Sequence, residues 1–342
     1  MAPVTNGRVL FNSVPQGVPV PGETTVYDTT ETIDIENVPL NGGFLLKVLI
    51  LSVDPYFRGR MKPGPSYTGA LEIGKPLSGF GIGKVLRSEN AEVPVGKYIY
   101  GYTIRHEQYY VLPGLNPSIS ILEKRADLPL TAYIGAAGMP GQTAWCAWTA
   151  YSEVKAGETV FVTAAAGAVG SVVVQLAKRA GCKVIASAGS EDKCAFVKSL
   201  GADVVFNYKT TPTREVLTKE GPVDIYWDNV GGDTTDAAIE SANVGARFLL
   251  CGSISGYNGQ PEPLKNFVTL VGKQIHMHGF LAIPLIAKYH DQFYSTVPDM
   301  VAKGEIVYRE DVTRGLETVG DQIVAVLKGT NVGKAIVTVA DE

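Results

Sequence analysis

The chain has 342 residues, more than one hydrophobic core usually organises, and at ~150 residues per domain it should fold as about two domains. Hydrophobic residues make up 45% and charged residues 19%, with 38 glycines, which is the composition of a turn-rich globular protein and excludes a disordered or fibrous one. Against 34 acidic residues stand 30 basic ones, a net charge of −4 with no long run of one sign, so nucleic acid and anionic membranes are poor partners.

The first residues, Met1-Ala2-Pro3-Val4-Thr5-Asn6-Gly7, lack the charged-then-apolar pattern of a secretory signal, and a cytoplasmic location is expected. Up to about residue 125 the chain consists of short apolar runs punctuated by Gly and Pro: 44–51, 81–86, 98–100 and 109–112. That texture predicts an all-β domain over 1–125. From Glu158 onward, strands of four to six residues alternate with helical segments, which predicts parallel βαβ units over 126–310. The expected strands are 159–163, 183–187, 204–207, 223–228, 247–251 and 274–278, and the expected helices include 168–180, 191–200, 213–220 and 233–242. After residue 310 strand-like runs return, ending in Ala335-Ile336-Val337-Thr338-Val339, so the segment 311–342 is expected to rejoin the first domain.

Cys146, Cys182, Cys194 and Cys251 lie far apart, without the short spacing of a metal knuckle or redox motif, and are read as reduced. His276 and His278, two apart, would share one face of a strand; with His106 and His290 they are read as ordinary strand or loop residues, and no metal site is expected.

The strongest local motif is Thr159-Val160-Phe161-Val162-Thr163 followed by Ala164-Ala165-Ala166-Gly167-Ala168-Val169-Gly170 and an apolar helix. In the three glycine places of a dinucleotide fingerprint stand Ala165, Gly167 and Gly170. Gly167 would admit a pyrophosphate to the backbone, Gly170 would pack helix on strand, and the helix N-terminus would offer amides to the anion. The second strand ends in Ala188-Gly189-Ser190 and lacks the carboxylate that an NAD enzyme places there. Small residues leave room for a 2′-phosphate and Lys193 could pair with it, so NADP is the expected cofactor; the alternative is that Lys193 is a solvated helix residue beside Glu191 and Asp192.

Several further stretches stand in a familiar order: 52–61 (Ser-Val-Asp-Pro-Tyr-Phe-Arg-Gly-Arg-Met), 138–144 (Gly-Met-Pro-Gly-Gln-Thr-Ala), 206–209, 228–232, 251–255, 279–281 and 331–334 (Asn-Val-Gly-Lys). Together with the glycine turn they resemble the medium-chain dehydrogenase/reductase superfamily, in its zinc-independent branch of prostaglandin and leukotriene reductases and alkenal double-bond reductases. The resemblance implies a GroES-like β-barrel domain, a Rossmann doubly wound parallel sheet, a cleft between them, a homodimer and a reductase that works without zinc. It gives Lys193 and Tyr208 to the adenosine phosphate end, and Ala166, Gly167, Ala168, Val169, Gly170, Gly189 and Ser190 are expected to bind the cofactor with them. Asn229 and Asn331 fall to the ribose and diphosphate region, Met139, Pro140 and Thr143 with Phe280 and Leu281 to the nicotinamide end, and Cys251, Gly252, Ser253, Ile254 and Gly333 are expected to bind the cofactor as well. The chain departs from the family pattern at Gly256 and across 132–138 and 282–287, where its substrate pocket would take its own shape.

Reduction of an α,β-unsaturated aldehyde or ketone needs a hydride for the β-carbon, a donor to the oxygen as it becomes an enolate, and a proton for the α-carbon. NADPH would bring the hydride, and Tyr56 and Tyr257 are the candidate hydroxyl donors, protonated at neutral pH. Tyr257 could equally serve the cofactor. Arg58 and Arg60 are expected in structural ion pairs. Two other readings stay open: a zinc-free quinone or carbonyl reductase of the same superfamily, and a non-catalytic NADPH-binding protein.

Overall fold

The computed structural model describes residues 2–64, 69–260 and 262–342. By its internal contacts the chain forms two compact units, one from the segments up to Ile134 and from Glu310 on, the other from Gly135 to Arg309.

The first unit opens with β1 (Val4–Thr5), β2 (Arg8–Phe11), β3 (Thr25–Asp28) and β4 (Thr32–Ile33), paired antiparallel as β1 with β4 and β2 with β3. Then come β5 (Phe44–Ser52), α1 (Tyr56–Arg60), β6 (Ser78–Ser88), β7 (Tyr98–Arg105), β8 (Tyr109–Leu112) and β9 (Ile119–Leu122). The run Phe-Leu-Leu-Lys-Val-Leu-Ile-Leu of β5 is apolar at successive positions, not alternate ones, because it is buried on both faces. The segment Leu130–Ile134 packs on β5 and β6, which is why the first unit runs to 134 and not to 125.

The second unit comprises α2 (Met139–Tyr151), β10 (Thr159–Val162), α3 (Gly170–Arg179), β11 (Lys183–Ala188), α4 (Glu191–Ser199), β12 (Val204–Asn207), α5 (Thr213–Glu220) and β13 (Val223–Asp228). It continues through α6 (Asp233–Ser241), β14 (Ala242–Leu250), α7 (Thr269–Lys273), β15 (His276–Gly279), α8 (Ala282–Tyr294) and α9 (Val297–Ala302). Its six strands are parallel in the order β12-β11-β10-β13-β14-β15, the doubly wound arrangement whose order reverses beside the first strand. Phe161, Tyr226 and Phe248 form the centre of one packed face, with ring centroids 5.2 Å and 5.0 Å apart. In α3 the buried Val172, Val173, Leu176 and Ala177 recur at helical spacing and cover the sheet, while Lys178 and Arg179 complete its last turn.

The chain returns to the first unit as β16 (Glu310–Arg314), α10 (Val319–Lys328) and β17 (Lys334–Thr338). The strand-like runs expected after residue 310 are β16 and β17, and between them stands a helix that was not foreseen: Val319, Ile323, Val326 and Leu327 bury one helical stripe, and Gly329 ends the helix at φ 64°. β17 lies antiparallel to β5, so the large sheet runs β16-β17-β5-β6-β7-β9 with β8 also on β5. Among the described residues no helix is long and apolar enough to cross a membrane.

Candidate active site

At the end of β10 the chain turns through Ala164, held at φ 47°. The turn is tied to the next strand by the Ala165 amide donating to Ser187 O at 2.9 Å, and to itself by the Gly167 amide donating to Ala164 O at 2.9 Å. A Cβ on Gly170 would lie 2.6 Å from Ala164 O and 2.9 Å from the Ala165 Cα, so only glycine lets α3 start this close to the strand. At Gly167 the nearest atom to a Cβ is 3.1 Å away, a milder constraint. α3 begins without a side-chain cap and without an acidic residue in its first turn; the Ser171 amide donates to Gly167 O and those of Val172 and Val173 to Val169 O.

Beside this turn, Gly189, Ser190, Lys193 and Tyr208 gather at the end of β11. Ser190 caps α4, its Oγ accepting the Lys193 amide at 3.4 Å, so its hydroxyl oxygen has a structural task. Glu191 is drawn aside by Asn207, which donates to it at 2.9 Å. The Tyr208 amide donates to Ala188 O, its hydroxyl stands over Gly189, and the ring is 47% exposed, which removes it from the core.

Past β13, Asp228 organises the next two loops. Its buried carboxylate accepts from the Tyr226 hydroxyl (2.9 Å), the Val230 and Gly231 amides (2.9 and 2.8 Å) and Thr235, while its carbonyl accepts the amides of Cys251 and Gly252. Burial raises its pKa and these donors act against that rise. Sequence reasoning passed over Asp228 in favour of its neighbour. Asn229 itself donates to Thr163 O at 2.6 Å and accepts from the Trp227 indole at 3.2 Å, so most of its side-chain capacity locks β13 to β10. Cys251 is half-buried as a residue, and desolvation of its thiol pushes the pKa up to about 12, which makes it a poor nucleophile. Ile254 and Ser255 donate back to Asn229 O and Val230 O, and the Tyr257 hydroxyl lies against Gly252, 3.5 Å from the Ser253 amide. Tyr257 thus shares its loop with the residues assigned to the cofactor.

The residues given to the nicotinamide end sit on α2 and after β15. Met139 and Pro140 open α2, and the Thr143 hydroxyl donates to Met139 O at 2.7 Å. Phe280 meets Trp227 edge-on at 5.7 Å, and Leu281 stands exposed at the start of α8.

In the first unit, Tyr56 opens α1 in a built environment. Its hydroxyl oxygen accepts the Phe80 amide at 3.1 Å, at a point where the β6–β7 register breaks between Gly79 and Gly81. The bulge takes that amide off the ladder and offers it to the phenol. A Cβ on Gly79 would stand 2.7 Å from the Phe57 ring and 2.9 Å from the Tyr56 oxygen, so glycine is needed there. Burial, and next the nearby Asp54 charge, raise the Tyr56 pKa well above the usual phenol value, so the hydroxyl keeps its proton. Arg58 donates to Gly17 O and Pro15 O, and Arg60 to Gly69 O and to Ser78; in these contacts the guanidiniums pin backbone loops, where ion pairs with carboxylates were expected. Asn331 donates to Gly333 O at 2.8 Å, shaping the turn into β17.

His276 and His278 do share a face, their rings parallel at 6.5 Å, with Tyr151 stacked on His278 at 4.9 Å. Among the described residues no group of three or more His, Cys, Asp or Glu side chains is placed to hold a metal ion.

A doubly wound sheet with a bare helix N-terminus after its first strand, joined to a β unit that both chain ends complete, is the architecture of a dinucleotide-dependent oxidoreductase. Residues 8–117 match the family described as the N-terminal domain of oxidoreductase, and residues 168–298 the one described as zinc-binding dehydrogenase. The chain belongs to the medium-chain dehydrogenase/reductase superfamily. It is 36% identical to a 2-alkenal reductase (NADP(+)-dependent) of Nicotiana tabacum over 99% of both chains, and 36% identical to prostaglandin reductase 1 of Sus scrofa over 91% of this chain and 95% of that one. The crystal structure of CurA in complex with NADPH from Vibrio vulnificus superimposes with a TM-score of 0.89 at 35% identity, covering 98% of this chain and 100% of that one.

Proposed function

We propose that the protein uses NADPH to saturate the carbon-carbon double bond of α,β-unsaturated aldehydes or ketones, with Tyr56 as donor to the carbonyl oxygen. The observation that carries this reading is the Tyr56 hydroxyl: its oxygen accepts from Phe80, its proton is held by burial, and the O–H is therefore available to donate. As the substrate oxygen takes on enolate charge, such a donor stabilises it without metal. The relatives support the substrate class, since they include proteins named for alkenal and prostaglandin reduction.

The residues present fit the cofactor. The uncapped start of α3, with no acid in its first turn, suits a diphosphate, and the carboxylate-free end of β11 with Lys193 suits a 2′-phosphate. When bound, NADPH supplies the hydride that the β-carbon receives. Gly170 keeps the diphosphate turn close to the sheet, Tyr208 covers the adenosine end, and Tyr257 steadies the 251–257 loop and serves the cofactor more than the substrate. The reaction is proposed to need no zinc. Cys146, buried, and Cys251, half-buried, are single thiols that desolvation pushes up to about 11 and about 12, a poor starting point for thiolate ligands. Four free cysteines accord with the reducing cytoplasm. A homodimer is proposed through β15, the outer strand of its sheet, preceded in the chain by the exposed Phe267, Val268 and Val271.

The test is turnover of an aliphatic or aryl-substituted enone with NADPH, before and after chelation, with products identified by mass spectrometry. The saturated ketone at an unchanged rate after chelation is expected. An allylic alcohol would make the protein a carbonyl reductase, and no NADPH consumption with any enone or quinone would leave a binding protein.

A further inference from the structure

The motif around Tyr56 and the motif at 331–334 were read separately in the sequence, and one contact joins them. Lys334 Nζ lies 3.0 Å from Asp54 Oδ1 and 2.7 Å from Val53 O, and the two charged side chains are 3% and 6% exposed. Ser52 donates to the other Asp54 oxygen at 2.5 Å, and Ser52 is itself paired with Ile336 where β5 meets β17. Asp54 also starts the helix, its carbonyl accepting the Phe57 amide at 3.2 Å. The loop that carries Tyr56 is therefore fixed from the last strand of the protein.

We propose that the buried Lys334–Asp54 pair is the positioning element of Tyr56: it holds the root of the side chain while the Phe80 amide holds its tip. The proposal rests on Tyr56 being the donor in the reaction above. A buried ion pair adds little net stability over apolar side chains of the same volume, because both charges lose their water. What it adds here is direction: two hydrogen bonds from Lys334 and one from Ser52 leave the 52–55 loop a single arrangement. Burial raises the Tyr56 pKa and Asp54 adds to that rise, while at Lys334 burial lowers the pKa and Asp54 acts against the fall. Neither Lys334 nor Asp54 is assigned a contact with substrate or cofactor.

The experiment compares the full-length protein with the Asp54→Asn/Lys334→Met double variant, which removes both charges and strands neither, in native and Tyr56→Phe backgrounds. Three quantities are read: hydrogen exchange at the Phe80 amide, NADPH affinity, and enone turnover at saturating NADPH. The proposal expects Phe80 exchange to quicken at least about tenfold in the double variant, as in Tyr56→Phe. Turnover should fall roughly tenfold in the native background and hardly change where Tyr56 is already Phe, with NADPH affinity unaltered in both. Unchanged Phe80 protection overturns the proposal whatever turnover does, and so does an equal loss of turnover in both backgrounds, the mark of a merely structural pair. If Tyr56→Phe keeps full turnover, the donor reading fails instead, and Phe80 exchange alone decides the pair. Should the double variant not fold, Asp54→Asn, which keeps the Lys334 bond to Val53 O, gives the same readouts.

Discussion

The turn over Ala164–Gly170, proposed to hold the diphosphate, takes its shape from one short run of backbone, whereas Tyr56 is held by Phe80 and by a loop pinned across 280 residues of sequence by Lys334. The first region works through backbone, so most side chains in it can change and the geometry survives. The second works through particular side chains, each needed by the next. Cofactor binding should therefore fail where a Cβ is added to the turn, and catalysis where a single polar atom is removed from the Tyr56 segment.

The largest effect tests the backbone region. Gly170→Val places a side chain 2.6 Å from Ala164 O, and overpacking of this kind costs about 1–3 kcal/mol of stability. Thermal melting should fall accordingly and NADPH should no longer protect the fold. A variant that still binds NADPH normally would show that the turn is not the phosphate site.

Next comes a buried side chain of the first unit. His106 is fully buried, neither ring nitrogen has a partner among the described residues, and burial holds its pKa down to about 3 against an ordinary 6.5. The folded chain stays neutral there while the unfolded chain takes up a proton, so stability is full above pH ~6.5 and is lost as pH falls from there toward 3. By pH 5 the loss should be about 2 kcal/mol, and His106→Leu should flatten that part of the denaturation profile. An unchanged slope would mean that the imidazole titrates normally in the fold.

The smallest effect concerns the adenosine end, where Lys193→Ala should weaken NADPH on the order of tenfold by fluorescence titration and leave NADH nearly untouched. Equal losses for both cofactors would place Lys193 outside the phosphate site.

The same contrast explains what was legible in the sequence. β10, β11 and β13 with their helices announce themselves because a buried parallel strand is a short apolar run and its turn is marked by glycine. α10 was missed because its valines favour strands, and only the stripe of Val319, Ile323 and Val326 betrays the helix. Asn229, Asn331 and Thr143 were expected at the cofactor, and local sequence does not show the protein partners they have: each gives a donor to the protein, to Thr163 O, Gly333 O and Met139 O. Nor does local sequence reveal that Asp54 meets Lys334 or that a bulge frees the Phe80 amide, because both follow from which strands lie side by side.

The central claim is that Tyr56 gives the hydrogen bond that draws the enone to enolate. Tyr56→Phe keeps the ring stacked on Phe57, with centroids 5.0 Å apart, and removes only the hydroxyl. The direct measurement is the rate of enone reduction at saturating NADPH in this variant, with the NADPH dissociation constant taken alongside. The account predicts a fall in rate of up to about a hundredfold with cofactor affinity unchanged. A variant that reduces the enone at the full rate would contradict it.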